Sequence, residues 1–165
     1  MKGILMTVAI LILAGGLAFA IIPEAKIIPQ TNAPLTVTSY SAEYQEGGRY
    51  TTEGIRHSVG YTNTSGKPVV AVQIGLVSFD VWNEFLDRTG GVSIEDIAPG
   101  GSKTGTWVAR AYADFSFLTG VAYVSKVRFA DGTIWAADLE AVADELRKIQ
   151  KDFDVTKLKG KPEDQ

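Results

Sequence analysis

The sequence predicts a mainly β fold, an antiparallel β-sandwich of about seven strands with one C-terminal α-helix, on three observations. Turn signals recur at Asn63-Thr64-Ser65-Gly66, Ala98-Pro99-Gly100-Gly101 and Asp131-Gly132. Between them lie segments of Val, Ile, Thr and Tyr that alternate with polar residues or run continuously apolar. The hydrophobic period lengthens to that of a helix only after Asp138, where Leu139, Val142, Leu146, Ile149 and Phe153 fall on one stripe.

Leu35 to Tyr44 suits a pleated, half-buried surface. Ile55, His57, Val59 and Tyr61 alternate with Arg56, Ser58, Gly60 and Thr62, a period of two. Val69 to Phe79 is too apolar for a strand wetted on one side and predicts a central one. Pro99 and Gly100 fit the two central positions of a type II turn, which leads into a strand over Thr104–Arg110. In the next strand Val121, Tyr123, Val127 and Phe129 are expected on one face, opposite Ala122, Val124, Lys126 and Arg128. Asp131-Gly132 predicts a type I′ hairpin returning through Ile134-Trp135-Ala136. Asp138 can cap the helix, and Glu140 and Asp144 precede Arg147, Lys148 and Lys151, as the helix dipole favours.

Lys2 is the sole charge before Glu24, and Gly3 to Ile22 is uncharged and mostly apolar. A basic start, an apolar run and the small residues of Ala18-Phe19-Ala20 describe a secretory signal over residues 1–20, with Ala18 and Ala20 setting cleavage. The alternative is an uncleaved inner-membrane anchor over residues 3–22, since about twenty apolar residues span a bilayer core. Both place the bulk of the chain outside the cytoplasm, in the periplasm or beyond the cell. Residues 21–33, with Pro23, Pro29, Gln30 and Asn32, read as an extended linker, residues 34–153 as the domain and residues 154–165 as a flexible tail.

The 165 residues allow one ordinary domain, with 16 Lys and Arg against 19 Asp and Glu. Without residues 1–20 the balance is 15 against 19, a net −4. No basic stripe marks a nucleic-acid binder. The absence of Cys excludes disulfides, thiolate metal sites and a cysteine nucleophile, and no Cys follows the apolar run to carry a lipid anchor.

Three segments, Val59-Gly60-Tyr61-Thr62-Asn63-Thr64-Ser65, Val77-Ser78-Phe79-Asp80 and Ile97-Ala98-Pro99-Gly100-Gly101-Ser102, occur in this order. Together they resemble extracytoplasmic bacterial immunoglobulin-like modules of the FxLYD type and related domains of unknown function. The resemblance spans residues 35–137, implies an immunoglobulin-like sandwich and transfers no catalytic residue. Gly120 to Tyr123 is similar to the tyrosine corner of such folds, with Ser125 where a disulfide cysteine would stand.

Chemistry-bearing side chains are sparse. Asp80, Glu84, Asp87, Glu95 and Asp96 make residues 80–96 read as an acidic, solvated loop in which Asp80, Asn83 and Asp87 are oxygen donors of the kind calcium takes. The order of an EF-hand is absent, and no metal or cofactor is assigned. Trp82, Phe85, Phe115 and Phe117 lie in or beside loops and are expected to cap the sandwich ends, with exposed anchoring of a partner or glycan as the alternative. Asp80, Trp82, Asn83 and Asp87 are therefore the candidate ligand or partner residues. His57 is expected to be half-buried and hydrogen-bonded, Trp107 and Trp135 to belong to the core, and Asn63 to serve its turn rather than carry a glycan. The expected function is non-catalytic binding of a protein or cell-envelope component outside the cytoplasm, with the membrane touched only through an uncleaved N-terminal segment. A calcium- or glycan-binding accessory domain is the first alternative. A small secreted hydrolase, which would need a deep pocket of convergent polar groups, is the second.

Overall fold

The computed structural model describes residues 23–109 and 116–159; Ala18, Ala20, Phe115 and the rest of the apolar N-terminal run lie outside them. Among the described residues, eight strands and one α-helix follow in chain order: β1 Glu24–Ile27, β2 Leu35–Gln45, β3 Gly54–Asn63, β4 Val69–Asp80, β5 Phe85–Ile97, β6 Ser102–Ala109, β7 Phe117–Phe129, β8 Ile134–Ala136 and α1 Leu139–Leu146. One sheet runs β1-β7-β4-β5, with β8 also on β7, and the other runs β2-β3-β6. The architecture is the predicted sandwich with a helix added as a third layer.

The apolar run of β4 has its cause in this layering. Val72, Ile74 and Leu76 face the second sheet, packed with Leu35, Val59, Tyr61, Ala122 and Val124. Val77 and Phe79 face the other way, with Val121 and Tyr123, into Val142, Ala143, Leu146 and Phe153. A strand covered on both sides cannot alternate with polar residues. The helix thus packs on its own domain, and Asp138 caps it by accepting from the Glu140 and Ala141 amides at 3.0 and 3.4 Å.

Five local expectations need correction. Within the expected extended linker, Glu24–Ile27 forms β1, which pairs in parallel with β7, Glu24 opposite Thr119. The segment is pinned further on, where Gln30 donates to the Val124 carbonyl at 3.0 Å and accepts from its amide at 2.7 Å. The tail is ordered as far as Lys159, through a 3-10 helix at Val155–Leu158 that buries Leu158 beside Phe153. The acidic stretch is mostly strand β5, not a loop. In β7 the pairing with β4 slips between Val124 and Lys126, so Val127 joins Val124 on the inner face, away from Val121 and Tyr123. At Asp131-Gly132 only Gly132 has positive φ, +84°. The turn closes with Gly132 N to Phe129 O at 3.0 Å, which is a type I turn ending in a left-handed glycine, not type I′.

Tyr123 is not a tyrosine corner. Its ring lies over Gly75, where a Cβ would stand 2.2 Å from a ring carbon, under the helix. Its hydroxyl is buried without a close hydrogen bond. The Pro99-Gly100 turn is type II as expected, with Gly100 at φ +77° and Gly101 N to Ala98 O at 2.8 Å.

Candidate functional site

Strand directions bring two described connections to one end of the sandwich, residues 46–53 between β2 and β3 and residues 81–84 between β4 and β5, beside the end of β6 at Ala109 and the start of β7 at Phe117. Three of the four candidate residues, Asp80, Trp82 and Asn83, meet there, in different roles. Asp80 closes β4, buried, and its carboxylate accepts from the amides of Trp82 at 2.8 Å and Glu84 at 2.9 Å. Backbone bonds from Asn83 N to Asp80 O at 3.0 Å and from Asp80 N to Glu84 O at 2.9 Å complete the turn. Asn83 sits at φ +62°, a conformation that Asn tolerates better than most residues. Together these bonds present Trp82, 79% exposed, at the tip. Asp87 stands apart on β5, opposite Ser78.

Asp80 is thus the turn's fastener, with one carboxylate oxygen, Oδ1, accepting from both amides. Among the described residues no three His, Asp or Glu side chains are placed to hold a metal ion. Phe85 and Phe117 pack inward: Phe85 touches Phe79 and Phe153 at ring separations of 6.4 and 5.8 Å, and Phe117 is buried with Ala42 and Ile55. Two further aromatics that the sequence reading did not single out, Tyr44 and Tyr50, are exposed at the same end. Tyr44 lies near the end of β2 and Tyr50 in the connection that follows, where alternation with polar residues leaves outward positions.

Glu95 is the other residue whose role the sequence concealed. It accepts from Tyr61 at 3.0 Å and from Ser93 at 2.6 Å, and its other oxygen pairs with Lys103 at 3.1 Å. These donors, Ser93 first, hold its carboxyl below the ordinary range and tie edge strand β5 to the second sheet. Trp107 closes the same edge. Its ring lies between Gly91 and Gly105, where added Cβ atoms would stand 2.4 and 2.1 Å from it, and its indole N–H donates to Val92 O at 3.3 Å. That cover limits pairing of β5 with another chain.

His57 is fully buried, more deeply than expected, and its Nδ1 lies 2.9 Å from the Tyr40 hydroxyl. Its Nε2 has no partner. Burial pushes the imidazole down to about 4 and the Tyr40 phenol upward. Asn63, also buried, donates to the carbonyls of Lys67 and Ile97 at 2.9 and 3.0 Å and accepts from Ser65, so it clasps the two sheets as a turn residue. Trp107 and Trp135 are half-buried against the core. Beside grooves of about 380 and 320 Å³ along residues 26–31, a third of about 200 Å³ lies between residues 28–33 and the start of α1. Its polar residues Gln30 and Asp138 are engaged with backbone groups.

No protein family and no curated protein matches the chain. Among solved structures, a hypothetical protein from Peptoclostridium difficile 630 has a similar fold at TM-score 0.52, with 12% identity over 73% of this chain and 93% of its own. At that identity the likeness concerns fold alone: a β-sandwich shared with a bacterial protein. A structural-genomics target, 16% identical over 63% of this chain and 80% of its own, reaches a TM-score of 0.38 and adds nothing to it.

Proposed function

We propose that the chain is a non-catalytic immunoglobulin-like binding module that works outside the cytoplasm and recognises its partner with the loop end that presents Trp82. One observation carries the reading: a large indole is held in solvent by a turn in which the backbone amides of residues 80 to 84 are all hydrogen-bonded within the domain. An exposed tryptophan on a rigid support gives a partner apolar area at little entropic cost. The N-terminal apolar run supports export. The order of the Asn63, Phe79-Asp80 and Pro99-Gly100 motifs, each of which builds a turn here, supports kinship with the FxLYD-type modules.

The test is capture of a partner from the native envelope by the wild-type chain and by a Trp82→Ala variant. Trp82→Ala should melt with the wild type and lose the partner. Undiminished capture by the variant, or turnover of a substrate in a hydrolase screen, contradicts the reading. A glycan would stack on the same indole, and competition by a soluble polysaccharide would identify it.

A further inference from the structure

We infer that the chain with its N-terminal segment retained rests with the Trp82 end of the sandwich against the lipid bilayer, the exposed aromatics seated among the headgroups. This deepens the reading of that end as a binding face by assigning its occupant. The first argument is the missing slack. The uncharged run ends at Ile22 and β1 begins at Glu24, so one residue, Pro23, separates them. Nor does any freedom follow, because β1 is paired and residues 28–30 are held on β7.

The second argument is direction. Glu24 lies opposite Thr119, and β7 begins at Phe117, opposite Asp80, the last residue of β4. Glu24 therefore enters β1 within two residues of extended chain, roughly 7 Å, of the level of the turn that carries Trp82. A span over residues 3–22, the anchor that the sequence offers, would leave the domain no slack to stand off from the membrane. In sheet order β1 is three positions from β5, roughly 14 Å, so the turn and the point of entry share one small face.

The third argument is composition. All three exposed aromatic residues among the described ones, Tyr44, Tyr50 and Trp82, stand at this end. Trp and Tyr are the side chains that favour the membrane–water boundary, with an apolar ring and a polar edge. Charge is mixed, with Glu46, Arg49, Glu53 and Glu84 in the same connections, so aromatic partition rather than attraction to anionic lipid is the driving chemistry.

The absence of cysteine makes the test clean. A nitroxide is attached to Glu84→Cys at this end, or to Gly66→Cys at the opposite end, where the site is open to solvent. Each full-length chain is reconstituted in phosphatidylcholine vesicles. The label at 84 should be severalfold less accessible to a water-soluble relaxation agent than the label at 66. Adding Trp82→Ser and Tyr50→Ser should raise it toward the value at 66. Equal accessibility at 84 and 66, or a cell-derived chain that starts at Ile21, overturns the assignment. If accessibility is equal and Trp82→Ala still abolishes capture of an envelope partner, the binding reading survives and the bilayer assignment alone falls.

Discussion

The carboxylate of Asp80 accepts from the backbone amide of Trp82 at 2.8 Å, so the residue that closes β4 also aims the most exposed aromatic ring of the β4–β5 turn. Asp80→Ala removes the acceptor for two turn amides and should cost about 1–3 kcal/mol. Asp80→Asn keeps an oxygen in place and should cost less than half as much. Urea unfolding of the two variants checks the order; equal losses would mean the charge, not the hydrogen bonds, holds the turn.

His57 makes stability depend on pH in a defined window. Its folded value of about 4 lies below the ordinary 6.5, so the unfolded chain binds the proton more tightly. The stability tied to neutral His57 is complete above pH 6.5, falls as pH drops and is fully lost below pH 4, a decline of about 3 kcal/mol. The carboxyls held low by their partners, Glu95, Asp131 and Asp154, lose their contributions as pH falls below the ordinary carboxylate range, mostly beneath this window. Urea midpoints at pH 7, 5.5 and 4.5 should drop steadily in the wild type. In His57→Gln they should be nearly flat across those pH values.

Tyr123 and Gly75 form a second test. The buried hydroxyl makes no close hydrogen bond, although Arg88 and Ser125 stand beside it, so Tyr123→Phe should change stability by less than about 1 kcal/mol. Gly75→Ala drives a methyl into the ring and should destabilise by about 1–3 kcal/mol. Combined with Tyr123→Leu, Gly75→Ala should cost less than the sum of the two single changes, which a double-mutant cycle measures.

Ending the chain at Phe153 removes the 3-10 helix and uncovers Phe153, which Leu158 and Lys157 otherwise cover. The loss should be about 2–3 kcal/mol, the scale of one buried leucine and part of a phenylalanine. A thermal melt indistinguishable from the full chain would show that these residues only decorate the surface.

The fold was legible where local chemistry acts alone. Pro99-Gly100 specified its turn, Asp138 its cap and Val69 to Phe79 its central place, each from neighbours within a few residues. Strand β5 was hidden because its acids signal solvent, whereas Glu95 finds its donors on strands 34 and 8 residues away, at Tyr61 and Lys103. Strand β1 was hidden because it pairs with residues some 95 positions on, through backbone bonds that leave no pattern in four exposed side chains. The site was half legible. Trp82 stood out as an aromatic among turn residues, but Asp80 looked like a ligand until its two amide donors gave it a structural role.

The central claim, that the Trp82 end is the working face, is tested most directly by photo-crosslinking in the intact envelope. A photoreactive amino acid is placed at Glu84 or, on the opposite end, at Gly66. The account predicts discrete adducts from position 84 that fade when Trp82→Ala is added, and none above background from position 66. Adducts of equal yield from both positions, or from 66 alone, would contradict it.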